Sequence, residues 1–264
     1  MGKVRLDRLL VEKGLAEDLK KAQALILGGQ VKAQELKGGK FRLLSFVKPG
    51  TMLIENSKVE IEPRAKYVSR GGDKLESALK FWNLSVQGRV CLDAGTSTGG
   101  FTDCLLMNGA KKIYAVDVGY GQFHPRLRND PRVELHEKTH ILKWKPGWDK
   151  PPDLVTLDLS FISLQSVLNR IAEIVDEGCR VLALVKPQFE VGPRFLNKGI
   201  VKDEKERERA VEKICRAATE TGLEVQGHFS CPVAGAKGNR EEWLFLVRKG
   251  VSPRHDFVAG PDTV

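Results

Sequence analysis

Four charged residues sit where apolar strands and helices do not ordinarily leave charge. Asp158 closes the run LVTLD, Lys186 closes VLALVK directly before Pro187, Glu241 precedes WLFLV, and Lys74 opens KLESALKFW. Ligands of open α/β sheets gather at the carboxyl ends of parallel strands, where Asp158 and Lys186 fall. Each residue taken alone also fits a plainer role, a strand-end charge reaching water. Glu242 adjoins Glu241, and strand alternation turns the two side chains to opposite faces. His124, His136 and His140 lack metal-ligand spacing, so surface or packing roles are expected of them, and no metal. Phe189 and Phe195 follow Lys186; they either pack into a core or stack on an unstacked base.

A second constellation reads as binding. VCLDAGTSTGGFTDCLL puts Asp93 at a strand end, then a turn of small residues, then a helix. Gly95, Gly99 and Gly100 let backbone approach a ligand closely, and glycine alone does so cheaply where φ is positive. Asp117 in IYAVDVG ends the next strand, where an acid can accept both hydroxyls of a ribose. Gly95 is followed by Thr96-Ser97-Thr98 before the glycine pair, so the G-x-G-x-x-G fingerprint is not met. No Gly-Lys-Ser/Thr follows, which excludes a Walker phosphate loop. A turn of this kind is as often structural, but with Asp117 at its distance the pair suits a nucleoside-bearing ligand.

These groups need a scaffold. From Val90 onward, apolar strand-like runs alternate with helical periods: VCLDAG, FTDCLLMNGA, IYAVDVG, RVELHE, DLVTLDL, LQSVLNRIAEIV, RVLALVKP and EKERERAVEKICRAATETG. Such alternation predicts a Rossmann-like α/β fold, a mostly parallel seven-stranded sheet covered by helices on both faces. LEVQGHFS and EEWLFLVRK lack a long helix between them, which predicts a closing antiparallel hairpin joined by the loop 233–239. The N-terminal quarter differs. Val4, Leu6, Leu9, Leu10 and Val11 fall at helical spacing, a second amphipathic helix runs from Asp18 to Leu27, and short β-like pieces follow at 31–33, 43–47, 52–54 and 59–61. The expected division is a small α+β domain over 1–62, a connection over 63–73, the larger domain over 74–250 and a tail over 251–264.

Composition narrows the classes. The formal net charge is +9, and residues 1–66 hold 14 Lys and Arg against 8 Asp and Glu, a surplus that attracts polyanions. Five cysteines form no C-x-x-C pair, which reads as reduced thiols and not as a disulfide frame or zinc site. MGKVRLDRLLVEKG has no apolar core of a signal peptide, and no stretch approaches a membrane span, so a cytoplasmic protein without membrane contact is expected.

RLDRLLVEKGLAEDLKKAQALILGGQVKAQ, with the later KPG and VEIEP, resembles the S-four-type RNA-binding domain. The resemblance implies that the second helix and its following turn meet structured RNA, with Arg5, Arg8, Lys20, Lys21 and Lys32 as contacts. Leu19-Lys20 stands where that family carries Ser-Arg. DAGTSTGGFTDCLL, YAVDVGYGQ, DLSFISL and VKPQFE resemble the TlyA family of ribosomal RNA 2′-O-methyltransferases, often labelled haemolysin A, within the FtsJ-type Rossmann-like methyltransferases. This second resemblance spans nearly the whole chain. It implies S-adenosylmethionine at Asp93, Gly95, Thr98, Gly99 and Gly100 with its ribose near Asp117, and ribosomal RNA or a ribosomal subunit as partner. His140 stands where the family carries Asn.

The family also carries a Lys-Asp-Lys-Glu tetrad, matched here at Lys74, Asp158, Lys186 and Glu241. Methylating a ribose hydroxyl needs no metal, since the sulfonium already activates the methyl; it needs orientation and a group to take the proton. By resemblance Lys186 takes that proton, Asp158 and Lys74 orient it, and Glu241 helps to hold the sugar. Cytidine is the nucleotide that the family implies. Two other readings compete: a non-catalytic RNA-binding or ribosome-assembly factor, and a membrane-lytic protein. Oligomeric state has no signature in the chain.

Overall fold

The computed structural model describes residues 2–37, 40–44, 47–61, 65–235 and 238–250. The chain divides into two units, residues 1–66 and 67–264.

The first unit begins with a three-residue strand, β1 (Lys3–Arg5), then α1 (Leu6–Glu12) and α2 (Leu19–Leu27). β2 (Val31–Lys37), β3 (Lys40–Leu43), β4 (Met52–Ile54) and β5 (Lys58–Ile61) follow. Strand β1 pairs with β4, and β2 lies between β3 and β5. Val4 therefore belongs to a strand and not to the first helix: it sits opposite Leu53, and the helix starts only after the extended Arg5. A β-branched residue with a ladder partner gains more there than in a helical turn. The strand expected at 43–47 lies earlier, because Gln34 to Lys37 pair with Leu43 to Lys40; Ser45 and Phe46 are outside the described residues. Asp18 caps α2 by accepting the Lys21 N–H at 2.7 Å. Leu6, Leu10, Ala22, Ala33 and Leu53 are buried at the centre of this unit.

The second unit opens with α3 (Arg70–Phe81), four residues earlier than the Lys74 start read from sequence. The boundary between the units falls after Lys66, so Tyr67 to Asp73 pack with the larger domain and form no free connection. Close packing explains Gly72 in the first turn of α3 and Gly100, which lies against it. A Cβ on Gly72 would lie 2.2 Å from the Tyr67 ring, and one on Gly100 would lie 2.2 Å from Ser69 Oγ. The helical cost of glycine, about 1 kcal/mol each, is offset by this approach.

The remaining elements build one sheet with helices on both faces. They are β6 (Val90–Ala94), α4 (Gly100–Met107), β7 (Lys112–Val116), α5 (Pro125–Arg128), β8 (Val133–His136), β9 (Leu154–Leu157), α6 (Leu164–Ile174) and β10 (Arg180–Val185). Next come α7 (Pro187–Glu190), a small hairpin of β11 (Leu196–Asn197) and β12 (Ile200–Val201), α8 (Glu204–Glu220), β13 (Leu223–Ser230) and β14 (Glu242–Arg248). The strand order is β13-β14-β10-β9-β6-β7-β8. β14 runs antiparallel to both neighbours, as the closing hairpin predicts, and the pairings from β10 to β8 are parallel. Leu164, Val167, Leu168 and Ile171 of α6 bury one sheet face, and Leu75, Leu79, Phe101 and Leu105 of α3 and α4 bury the other. The five cysteines are free, and burial pushes the Cys91 and Cys179 thiols up.

The chain leaves β6 toward β7 and returns on its other side as β9, so the order reverses between β6 and β9. That reversal opens a crevice at their carboxyl ends. Asp93 ties it together from beneath. Its fully buried carboxylate accepts Thr102 Oγ1 of α4 at 2.7 Å and Thr156 Oγ1 of β9 at 3.3 Å. Burial pushes this carboxyl up to about 6, against the threonine hydrogen bonds that lower it. A raised carboxyl favours folding when protonated, so its contribution is complete below about pH 4 and is lost as pH rises through about 6. Compared with Asp93→Asn, the native chain should gain up to about 3 kcal/mol between pH 7 and pH 4 in urea unfolding. A stability difference that stays constant over that range would show that Asp93 ionises as freely folded as unfolded.

Candidate active site

The turn after β6 is shaped by what lies behind it. Gly95 has φ +87°, and a Cβ there would stand 2.6 Å from the Asp158 carbonyl oxygen. Only glycine lets β6 and β9 run this close at their ends. Gly99, at φ +97°, faces Phe123 and Leu127, where a Cβ would fall within 2.9 Å of both. Ser97 also adopts a left-handed φ of +50°, which aims its N–H at Asp117 Oδ2, 2.7 Å away. Asp117 Oδ1 accepts the Gly119 N–H at 2.6 Å, so this one carboxylate joins the turn after β6 to the turn after β7.

A polar cavity of about 290 Å³ lies over this turn, walled by Ser69, Arg70, Lys74, Gly95, Thr98, Gly100 and Asp158 among others. A wider groove of about 480 Å³ beside α8 is lined by Glu204, Glu208, Glu212 and Glu242, which repel phosphates, so the smaller cavity is the candidate site. Gly95, Thr98 and Gly100 stand at the cavity wall as the sequence suggested. Asp93 does not. It lies behind the turn with its oxygens committed to threonines, because the β6 alternation turns it to the sheet face that α4 covers. Asp117 sits beyond the wall at the β7 end, bound to backbone N–H groups.

Two ion pairs border the cavity. Lys186, 9% exposed, brings Nζ to 2.6 Å from Asp158 Oδ1, at an angle outside hydrogen-bond geometry. Its proton goes to Ser160 Oγ instead, at 3.0 Å. Lys74 donates to Glu241 Oε2 at 2.6 Å, and Glu241 is almost fully buried. Glu242 turns to the other face and accepts from Ser230 Oγ. Lys74 and Asp158 line the same cavity, so the four residues form two pairs around one space.

Sequence reasoning missed Ser160 and Phe161. Phe161 is 91% exposed at a left-handed φ of +64°, its ring 5.1 Å from that of Phe189. Periodicity has no signal for one strained aromatic in a loop; its marks are its place in the DLSFISL motif and its position three residues after Asp158. Phe195 packs under Arg194. His124 caps α5, His136 pairs with Glu134, and His140 Nδ1 accepts the Leu142 N–H. Among the described residues no His, Cys, Asp or Glu cluster is arranged for a metal ion. No helix among them is long and apolar enough to cross a membrane.

In the first unit Arg5 is engaged at home: it binds Asp7 through two nitrogens, at 3.0 and 2.7 Å. That guanidinium holds the Asp7 carboxyl at about 2. Arg8, Lys20, Lys21 and Lys32 are exposed.

Comparison with known proteins follows this geometry. The model of the FtsJ-like methyltransferases matches residues 67–248. Over 248 residues the chain is 40% identical to the 16S/23S rRNA (cytidine-2'-O)-methyltransferase TlyA of Mycobacterium tuberculosis, covering 92% of this chain and 90% of that protein. It is 35% identical to Hemolysin A of Brachyspira hyodysenteriae, covering 90% of this chain and 97% of the other. The solved structure of a hemolysin-labelled protein from Streptococcus thermophilus is 37% identical with a TM-score of 0.70, covering 94% of this chain and 90% of that one. The turn after β6, the paired strand ends and the relatives agree: this chain belongs to the FtsJ-like methyltransferases, in the TlyA family.

Proposed function

We propose that this chain transfers a methyl group from S-adenosylmethionine to the 2′-hydroxyl of a cytidine in ribosomal RNA, in the cytoplasm. The observation that carries the reading is the Lys186–Asp158 pair, held at two adjacent strand ends beside the cavity over the Gly95–Gly100 turn. The residues present suit the cofactor: the Gly95 backbone leaves no side chain in the crevice, and Asp117 offers a carboxylate at the neighbouring strand end. When bound, S-adenosylmethionine supplies a methyl carbon already activated by sulfonium charge. Gly95, Thr98 and Gly100 would hold it and Asp117 would accept its ribose hydroxyls, with Asp93 supporting the turn.

Held by Gly95, Thr98 and Gly100, the cofactor would supply that methyl group to the 2′-oxygen of the RNA. Lys186 Nζ, as the neutral amine after giving its own proton to solvent, takes the hydroxyl proton; Asp158 and Ser160 aim it, and Lys74 with Glu241 orients the sugar. Phe161 offers an exposed face on which an unstacked base can rest. Arg8, Lys20, Lys21 and Lys32 collect backbone phosphates in an S-four-type domain, joined by Arg5 where its pairing with Asp7 is given up.

Replacing Lys186 by Ala should leave S-adenosylmethionine affinity within about twofold by calorimetry and lower single-turnover methylation about 10²- to 10⁴-fold. Lys186→Arg should be equally inactive, because a guanidinium keeps its proton. Normal methylation by the arginine variant would remove Lys186 as the proton acceptor. Replacing Lys20 and Lys21 together by Gln should weaken RNA binding and lower the slope of log affinity against log salt by up to about two. A slope equal to that of the native chain would take both lysines out of the RNA interface.

A further inference from the structure

Two loops leave the carboxyl ends of β9 and β10, one with Asp158, Ser160 and Phe161, the other with Lys186 and Phe189. They meet first at the Lys186–Asp158 pair and the Lys186–Ser160 hydrogen bond, then at the Phe161–Phe189 ring contact. A further junction lies beyond these. Glu190, its side chain 1% exposed, reaches from α7 to the start of α6. Its Oε2 accepts Ser163 Oγ at 2.7 Å and its Oε1 accepts the Leu164 N–H at 2.8 Å. Lys213 of α8 stands 3.8 Å from Oε2 and donates to the Glu190 carbonyl at 3.4 Å.

Burying a carboxylate carries a desolvation cost that an apolar residue of the same volume avoids. Burial does push the Glu190 carboxyl up, against the Leu164 and Ser163 hydrogen bonds and Lys213. The structure gives the charge a function that leucine lacks. One loop donates the acceptor that caps the helix of the other, at the helix end where negative charge is favourable. Phe161 lies between the junctions, and its left-handed backbone persists only where the flanking structure holds it. Release of Glu190 would free the α6 end of the loop that carries Asp158, Ser160 and Phe161.

We infer that Glu190 is a positioning residue for methyl transfer: through Ser163 and the Leu164 N–H it clamps the Asp158 loop against the Lys186 loop. The inference rests on the methyl-transfer reading above. Misplacing reacting groups by an ångström costs on the order of 10²-fold in rate, so a loosened clamp lowers the chemical step without emptying the cofactor site.

The test is single-turnover methylation of unmethylated ribosomal subunits, with cofactor and RNA saturating, well below the melting temperature. Glu190→Leu should lower the rate about tenfold or more, with affinities for S-adenosylmethionine and for the subunit within about twofold of native. Glu190→Gln keeps an oxygen for the Leu164 N–H and an amide for Ser163, and should restore the rate to within about threefold. Ser163→Ala, which cuts the same link from the other side, should slow transfer and add little to Glu190→Leu; it also serves where the leucine variant does not fold. Native rates in both Glu190→Leu and Ser163→Ala overturn the inference, since a residue serving stability alone shifts only the melting point. Loss in Glu190→Gln as deep as in Glu190→Leu overturns it too, because the amide preserves both bonds. Failure of the native chain itself to methylate any ribosomal substrate strikes the methyl-transfer reading first and this inference with it.

Discussion

A lysine ammonium at 9% exposure is tolerable only beside a carboxylate, and here the carboxylate comes from the next strand of the sheet. Removing either partner would leave a buried charge uncompensated, a loss of about 3–5 kcal/mol in comparable pairs. The parallel pairing of β9 with β10 puts Leu157 beside Ala183, so the strands deliver Asp158 and Lys186 to one edge. Register matters for the same reason. A slip of one strand by one residue would send the charges to opposite faces of the sheet. Both strands are buried on both faces, so the pair itself distinguishes the observed register from its neighbours.

The neighbouring crevice depends on absences of side chain more than on presences. Gly95 permits β6 and β9 to close on each other, Gly100 lets α4 lie against the start of α3, and Gly72 makes room for the Tyr67 ring. Gly95 and Gly100 themselves stand in the cavity wall. Arg126 adds a further restraint: its guanidinium binds both oxygens of the fully buried Asp103, which also accepts the Val68 N–H at 2.9 Å. Entry segment, cofactor turn and α5 are thereby joined through one carboxylate. Polar groups buried in this way are stable only when all are satisfied.

Much of this could be read directly from residues. Continuous apolar runs of four to six residues in alternation with helical periods specify parallel strands, and the antiparallel end follows from the missing helix between LEVQGHFS and EEWLFLVRK. The four positions of the tetrad stand out by motif and strand-end position, and the structure pairs them around one cavity. Periodicity cannot say which of two oxygens a threonine reaches, so Asp93 looked like a ligand contact when it is a brace. The Val4 strand has only three residues and owes its existence to β4, about fifty residues away. Glu190 closes the VKPQFE motif, but nothing local assigns it a partner, because the group it caps starts a helix 26 residues earlier in the chain. Local pattern specifies elements; long-range hydrogen bonds decide what their ends do.

The charges of the site also fit the division of labour between the two units. Lys74 with Glu241 and Lys186 with Asp158 sum to zero, so the tetrad offers no net attraction to a phosphate. A neutral sugar hydroxyl can enter such a space without displacing a bound anion, and the lysines are not held captive by the RNA backbone. Attraction to phosphate comes from outside the tetrad: Arg70 stands in the cavity wall, and the N-terminal quarter carries a surplus of six positive charges. A catalytic centre carrying that surplus would bind any stretch of backbone that reached it, and base-independent capture is what salt-sensitive phosphate contact provides. A charge-balanced tetrad in one unit and a positive surplus in the other would let affinity be raised in one place without lowering selectivity in the other.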